Sequence, residues 1–224
     1  MLRHPQGNSG RDADMRANAE FWDRIARKYA ADPIADQAGY DRTIARVRDL
    51  LGPRDRVVEL GCGTGSTALK LADGTGSYLA TDFSAGMIAI AEERLAAAPV
   101  DQLHFRLATA GDLIGHEAPF DAALGFNYLH LVDDLPGTLD AIGGMLVPGG
   151  LFVSKTPCLG DMNPLIRLAI PLMQLIGKAP HVIVLSATAL QAAIRAAGFE
   201  IVACEYHGSG RRDARPVIVA RKRR

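Results

Sequence analysis

The chain has 224 residues, 48% hydrophobic and 22% charged, which is ordinary globular usage with enough apolar mass for one sizeable core. Its net charge is zero, but the cancellation is uneven: the stretch Arg211–Arg224 carries +6 and the rest of the chain −6. A body of that sign lacks the basic stripe a nucleic-acid track needs, so the terminal Arg-Lys-Arg-Arg reads first as a solvated tail and second as a contact for phosphate or anionic lipid.

Residues 1–14 are polar, without the apolar core of a secretion signal, and are expected to be disordered. Met15–Ala31 and Gln37–Leu51 carry apolar residues at helical spacing, among them Phe21, Trp22, Ile25, Tyr29, Ile44 and Val47, and predict two amphipathic helices stopped by Gly52-Pro53. Strand and helix patterns then alternate. The strands are Arg56–Leu60, Ser77–Thr81, Leu103–Leu107, Asp121–Phe126 and Leu151–Lys155. The helices are Ser66–Ala72, Ala85–Ala97 and Leu135–Met145. Such alternation implies a parallel sheet with helices on both faces. Ser186 caps a helix Ala187–Ala197 that Gly198 stops. Phe199–Tyr206 and Pro216–Ala220 follow as strands, and the short His207–Ala214 between them forces an antiparallel pair. The expected architecture is an α/β, Rossmann-like, seven-stranded and mostly parallel sheet with an antiparallel final strand. Residues 15–224 form one domain, with a helical cap over 15–51 and an apolar insertion over 161–178. Three cysteines (Cys62, Cys158, Cys204) lack metal spacing, and so do the histidines. The thiols read as reduced, in a cytoplasmic protein without a metal.

The segment Val57-Val58-Glu59-Leu60-Gly61-Cys62-Gly63-Thr64-Gly65 concentrates the functional signal. Glycines at every second position let a ligand lie against bare backbone. A dinucleotide fingerprint needs its third glycine at position 66, which is serine. Asp82 ends the second strand, 21 positions after Gly61, at the offset where an acid meets ribose hydroxyls. Glu59 beside the loop repels a pyrophosphate and favours a cation. Together these residues point to S-adenosylmethionine (SAM) rather than NAD.

From this point the chain resembles the class I, Rossmann-like SAM-dependent methyltransferases over roughly Phe21–Ala220. The loop Glu59–Gly65 looks like that family's first motif, and Thr81-Asp82-Phe83-Ser84-Ala85-Gly86-Met87 like its second. Phe120–Leu124 with Leu129-His130, Leu146–Phe152 and Ala197-Gly198-Phe199 are similar to later segments. Phe21–Ala26 with Tyr29 resembles the cofactor-covering helix of the small-molecule branch, which includes quinone-biosynthesis enzymes. The resemblance implies that Gly61, Gly63 and Gly65 line the methionine moiety and that Glu59 lies near its ammonium. It places Asp82 on the ribose, Phe83, Met87 and the Ala110 amide on the adenine, and Phe126 facing the methyl donor. At Thr109 many members have an acid that binds the adenine amino group; a hydroxyl accepts the same bond more weakly.

Methyl transfer from a sulfonium needs alignment and exclusion of water, and a base only when the acceptor must lose a proton. His130 is the candidate base, against a structural role, and Tyr29 and Tyr128 are candidates for orienting the acceptor. The absence of proline in Phe126-Asn127-Tyr128-Leu129 argues against amine methylation of DNA bases. The stretch Asn163–Gly177 is apolar, kinked by Pro171, and too short to span a bilayer. Core packing, a lid over a small lipophilic acceptor, and a dimer or membrane-surface contact compete for it.

Overall fold

The computed structural model describes residues 9–117, 119–162, 180, 182–210 and 213–224, with 9–16 as backbone alone. Strands β1 (Arg56–Leu60), β2 (Ser77–Asp82), β3 (Leu103–Leu107), β4 (Phe120–Phe126), β5 (Leu146–Lys155), β6 (Phe199–Glu205) and β7 (Val217–Lys222) form one sheet in the order β3-β2-β1-β4-β5-β7-β6. Neighbours from β3 to β5 pair in parallel, and β7 runs antiparallel to both β5 and β6. The expected seven-stranded, mostly parallel sheet with its antiparallel final strand is therefore present.

Alternation along the strands divides the core. Val58, Leu60, Ala123 and Phe152 face α6 (Leu135–Met145) and α7 (Ala187–Ala196), against Leu139, Ile142, Leu190 and Ile194. Val57, Tyr78, Leu124 and Val153 face the other way, toward Ile44 and Val47 of α2 (Gln37–Arg48) and Leu71 of α3 (Ala68–Leu71).

The differences from the sequence reading have local causes. Helix α3 is shorter than Ser66–Ala72, because Tyr40 Oη engages Ser66 O and Thr67 Oγ1 and the chain tightens into a 3-10 turn at Ala72–Gly74. Strand β5 begins at Leu146, before the Pro148-Gly149-Gly150 turn. The register shifts between Phe120 and Ala122 to absorb that turn, with Gly149 at φ +80°. A short helix α5 (Ala110–Leu113), absent from the sequence reading, follows β3 behind a Thr109–Asp112 capping box. Helix α1 (Ser9–Ala31) begins inside the stretch expected to be disordered. Almost all of the apolar insertion over 161–178 lies outside the described residues.

Helix α1 packs against α4 (Ala85–Ala97), with Ala26 buried beside Met87 and Ile90. Ser84 caps α4 by accepting from Met87 N at 3.1 Å and donates its own proton to Asp23 Oδ1 at 2.6 Å. Gly86 N reaches the same oxygen at 2.8 Å, Arg94 donates to Ala30 O, and Arg27 forks onto Glu93. Asp23 thus joins α1 to the β2–α4 turn. Asp23→Ala is expected to cost about 1–2 kcal/mol through two lost bonds. A melting temperature lowered by a few degrees and a red-shifted emission from Trp22, the single tryptophan, would register the loosened helix.

Candidate active site

The sheet order turns back between β1 and β4, which lead outward to β2–β3 and to β5 respectively. In open parallel sheets this leaves a crevice at the carboxyl ends of the strands, and a cavity of about 690 Å³ occupies it here. Gly61 and Gly63 after β1, Asp82 and Phe83 at the end of β2, and Thr109 and Ala110 after β3 contribute to its wall. Phe126, Tyr128 and His130 come from the end of β4 and beyond, Met87 from α4, and Trp22 and Tyr29 from α1. Ten of the twelve residues expected from the sequence therefore meet in one place; Glu59 and Gly65 do not line it.

All three loop glycines have positive φ: +68° at Gly61, +55° at Gly63 and +77° at Gly65. Their surroundings differ. A Cβ on Gly61 would stand 2.6 Å from Tyr128 Cδ2, and one on Gly65 would stand 2.6 Å from Phe105 Cζ. A Cβ on Gly63 would meet nothing within 4 Å. Gly63 therefore opens onto ligand space, Gly61 admits the Tyr128 ring, and Gly65 serves packing on β3 and α4.

Asp82 is buried, with 7% of its surface exposed. Gly63 N donates to its Oδ2 and Ser84 N to its Oδ1, each at 2.9 Å. Burial raises its pKa, and those backbone donors work against the rise. Two carboxylate oxygens offer about four acceptor sites, so the two amides leave capacity for a diol. Glu59 lies deeper, on the strand face it shares with Val57, and accepts from Tyr78 Oη at 2.7 Å. Burial pushes its carboxyl up to about 8, against the Tyr78 bond and with help from the charge of Asp82. Glu59 is therefore set back from the cavity wall.

At the end of β4, Asn127 holds φ +52°, a left-handed conformation that asparagine tolerates. Its amide donates to Lys155 O at 2.7 Å, and the bend brings Tyr128 across Gly61 and Gly125. His130 follows. Burial holds its imidazole down to about 4, and its Nδ1 is buried without a hydrogen-bond partner among the described residues. Trp22 and Tyr29 meet edge-on, ring centroids 5.9 Å apart. Trp22 was read as part of the cofactor-covering helix but not named as a site residue, although its seven-residue spacing from Tyr29 puts both on one helical face.

The basic tail does not join this site. Arg221 pairs with Leu151 at the opposite end of β5 and donates to Gly149 O, while Lys222 donates to Leu146 O. His207 bonds Glu205 and Thr43, away from the cavity, and His181 lies outside the described residues. No metal-ligand cluster occurs among the described residues.

Residues 58–152 match the family model described as a methyltransferase domain. That stretch carries a methyltransferase domain. Over 157 residues it is 30% identical to a demethylmenaquinone methyltransferase of Symbiobacterium thermophilum, covering 66% of this chain and 60% of that protein. A malonyl-[acyl-carrier protein] O-methyltransferase of Magnetococcus marinus is 32% identical, with 61% and 50% covered. The chain thus spans roughly half to three fifths of these relatives' length. Among solved structures, magnesium protoporphyrin IX methyltransferase from Synechocystis PCC 6803 with bound SAH superposes with a TM-score of 0.69. It is 16% identical, covering 94% of this chain and 97% of that one, a likeness of fold. Within the methyltransferase domain the residues fit an adenosyl ligand. Open space faces the Gly63 backbone, and a buried carboxylate with spare acceptor sites lies beside it.

Proposed function

We propose that the protein transfers a methyl group from SAM to a small, lipophilic acceptor. The observation that carries this reading is Asp82, a buried carboxylate spanned by two backbone amides and set beside the open backbone of Gly63. SAM, when bound, supplies an electrophilic methyl on a sulfonium. The protein's own residues then have three tasks. Asp82 and the Gly61–Gly63 backbone hold the nucleoside and its chain, and Trp22 and Tyr29 of α1 cover it and exclude water. His130, neutral at physiological pH, offers a lone pair for an acceptor proton.

The relatives' names, demethylmenaquinone methyltransferase and malonyl-[acyl-carrier protein] O-methyltransferase, support a small acceptor group. Its lipophilic character rests on the sequence of 163–177. No helix among the described residues is long and apolar enough to cross a membrane, and the three cysteines are free. We place the protein in the cytoplasm and read 15–224 as one domain. Methyl-labelled SAM, incubated with the purified protein and a fractionated cell extract, is expected to label a low-mass fraction. Tight SAM binding with no labelled fraction would instead indicate a binder without turnover.

His130→Gln keeps a polar side chain but cannot take up a proton. If His130 is the base, this change lowers kcat by roughly 10²–10⁴-fold and leaves SAM affinity within about twofold. Native kcat/KM should hold down to mildly acidic pH and fall as the imidazole protonates near 4. An unchanged kcat in the variant assigns His130 to structure.

A further inference from the structure

Arg94 sits in the last turn of α4 and does not line the cavity. Its half-buried guanidinium nonetheless joins two elements that do. Nη1 donates to Thr64 O at 3.0 Å, and Thr64 Oγ1 and Ser66 Oγ each lie 2.8 Å from it. Nη2 donates to Ala30 O at 2.9 Å. Thr64 is buried between Gly63, which opens onto the cavity, and Gly65, which packs against Phe105. Ala30 follows Tyr29, a wall residue, and belongs to the last turn of α1, where carbonyls lack partners within the helix. A cation there also answers the negative end of the helix dipole. A planar fork suits this double contact, because fixing one nitrogen fixes the direction of the other.

We propose that Arg94 is a positioning residue that couples the seating of α1 to the setting of the glycine loop. With α1 seated, Ala30 O holds Nη2 and fixes the guanidinium plane. Nη1 then holds Thr64 and Ser66, and with them the left-handed turn at Gly63. With α1 lifted, the side chain regains its rotamer freedom and the loop loses this clamp. The coupling is reciprocal, so a ligand resting on Gly63 tightens α1, and a tightened α1 strengthens the hold on the ligand. The other ties between α1 and α4 end elsewhere: Asp23 bonds the β2–α4 turn, and Arg27 bonds Glu93 on the surface. The inference rests on the adenosyl reading of the cavity and adds to it how the protein closes over that ligand.

Hydrogen exchange of the full-length protein, with and without S-adenosylhomocysteine, reads the coupling. In the native protein the ligand should slow exchange at 27–32 and at 62–67 together, by about tenfold or more. Arg94→Lys keeps the charge but has one nitrogen in place of the fork. Ligand affinity should fall about tenfold, and the slowing at 27–32 should shrink by a similar factor. Thr64→Val with Ser66→Ala leaves Arg94 and its bond to Ala30 O in place and removes two loop acceptors. It should shrink the slowing at 27–32 as well, a change made in the loop and read in α1. Arg27→Ala breaks the exposed fork between the same two helices and should leave the ligand-linked slowing at its native size. A merely structural Arg94 would speed exchange with and without ligand alike. Native slowing retained in Arg94→Lys or in the loop variant overturns the proposal, as does an equal loss in Arg27→Ala. Ligand binding by the native protein without slowing at 27–32 overturns this inference alone, whereas no binding at all overturns the adenosyl reading with it.

Discussion

Glu59→Gln is expected to melt higher than the native protein at pH 9 and to bind SAM more weakly. The Glu59 carboxyl titrates near 4.5 when solvated and near 8 in the fold, raised chiefly by burial. Between those values the folded chain holds a proton that the unfolded chain has lost. The stability this contributes is complete below pH 4.5 and drains away as pH rises through 8. At pH 9 the native protein therefore holds an ionised carboxylate to which, among the described residues, only Tyr78 Oη donates. Glutamine keeps an acceptor for that hydroxyl and never ionises. The gap in melting temperature should open in favour of the variant between pH 5 and 9, on the order of a few kcal/mol. For a chain of this size that is roughly 5 °C or more.

Binding should move the other way. A sulfonium and an ammonium in the cavity favour the carboxylate, so the native protein should release a proton on binding SAM near neutral pH and bind more tightly as pH rises. The variant lacks that proton, so its affinity should be flatter with pH and about tenfold lower at pH 8. Calorimetry in two buffers of different ionisation enthalpy reads the released proton directly, with Asp82 as a background common to both proteins. Equal affinity and equal proton release would remove Glu59 from the site's electrostatics.

Glu59 also marks where the sequence stops being legible. Composition and spacing placed an acid beside the glycines, but a strand sends successive side chains to opposite faces. Glu59 goes with Val57 under α2 and α3, while Leu60 reaches the cavity. The parallel core of the sheet was readable, because short apolar runs alternate with helical patterns over a hundred residues. The terminal hairpin was readable because its loop is too short for a crossover. Helix α5 was not, since four residues show no period; its one signal was the capping spacing of Thr109 and Asp112. The bend at Asn127 left no trace beyond the residue type, although it sets Tyr128 over Gly61. Ligand-facing side chains on α1 were half visible, as a face shared by Trp22 and Tyr29. The depth at which that face meets the cavity depends on Asp23 and its partners across the α4 turn.

Alanine at each loop glycine should separate what the motif presents as one signal. All three positions share the cost of a left-handed alanine, about 1–2 kcal/mol. Gly63→Ala adds nothing to that cost, because its methyl enters open space. The same space is where the ligand must lie, so SAM affinity should fall by about a hundredfold or more while the melting temperature drops by only a few degrees. Gly65→Ala drives a methyl toward Phe105 and to 3.1 Å from Ala91 Cβ. Overpacking of that kind costs a further 1–3 kcal/mol or so, making this the least stable of the three, with binding lost only as far as the loop shifts. Gly61→Ala displaces the Tyr128 ring, so its effect should extend to the acceptor side, raising acceptor KM along with SAM Kd. Thermal melts and SAM titrations on the three variants give two rankings, and the reading requires them to differ. If the rankings agree, with affinity tracking stability at every position, the glycines serve only the turn. If Gly63→Ala loses the ligand while holding its fold, the bare backbone at Gly63 is the surface on which the ligand rests.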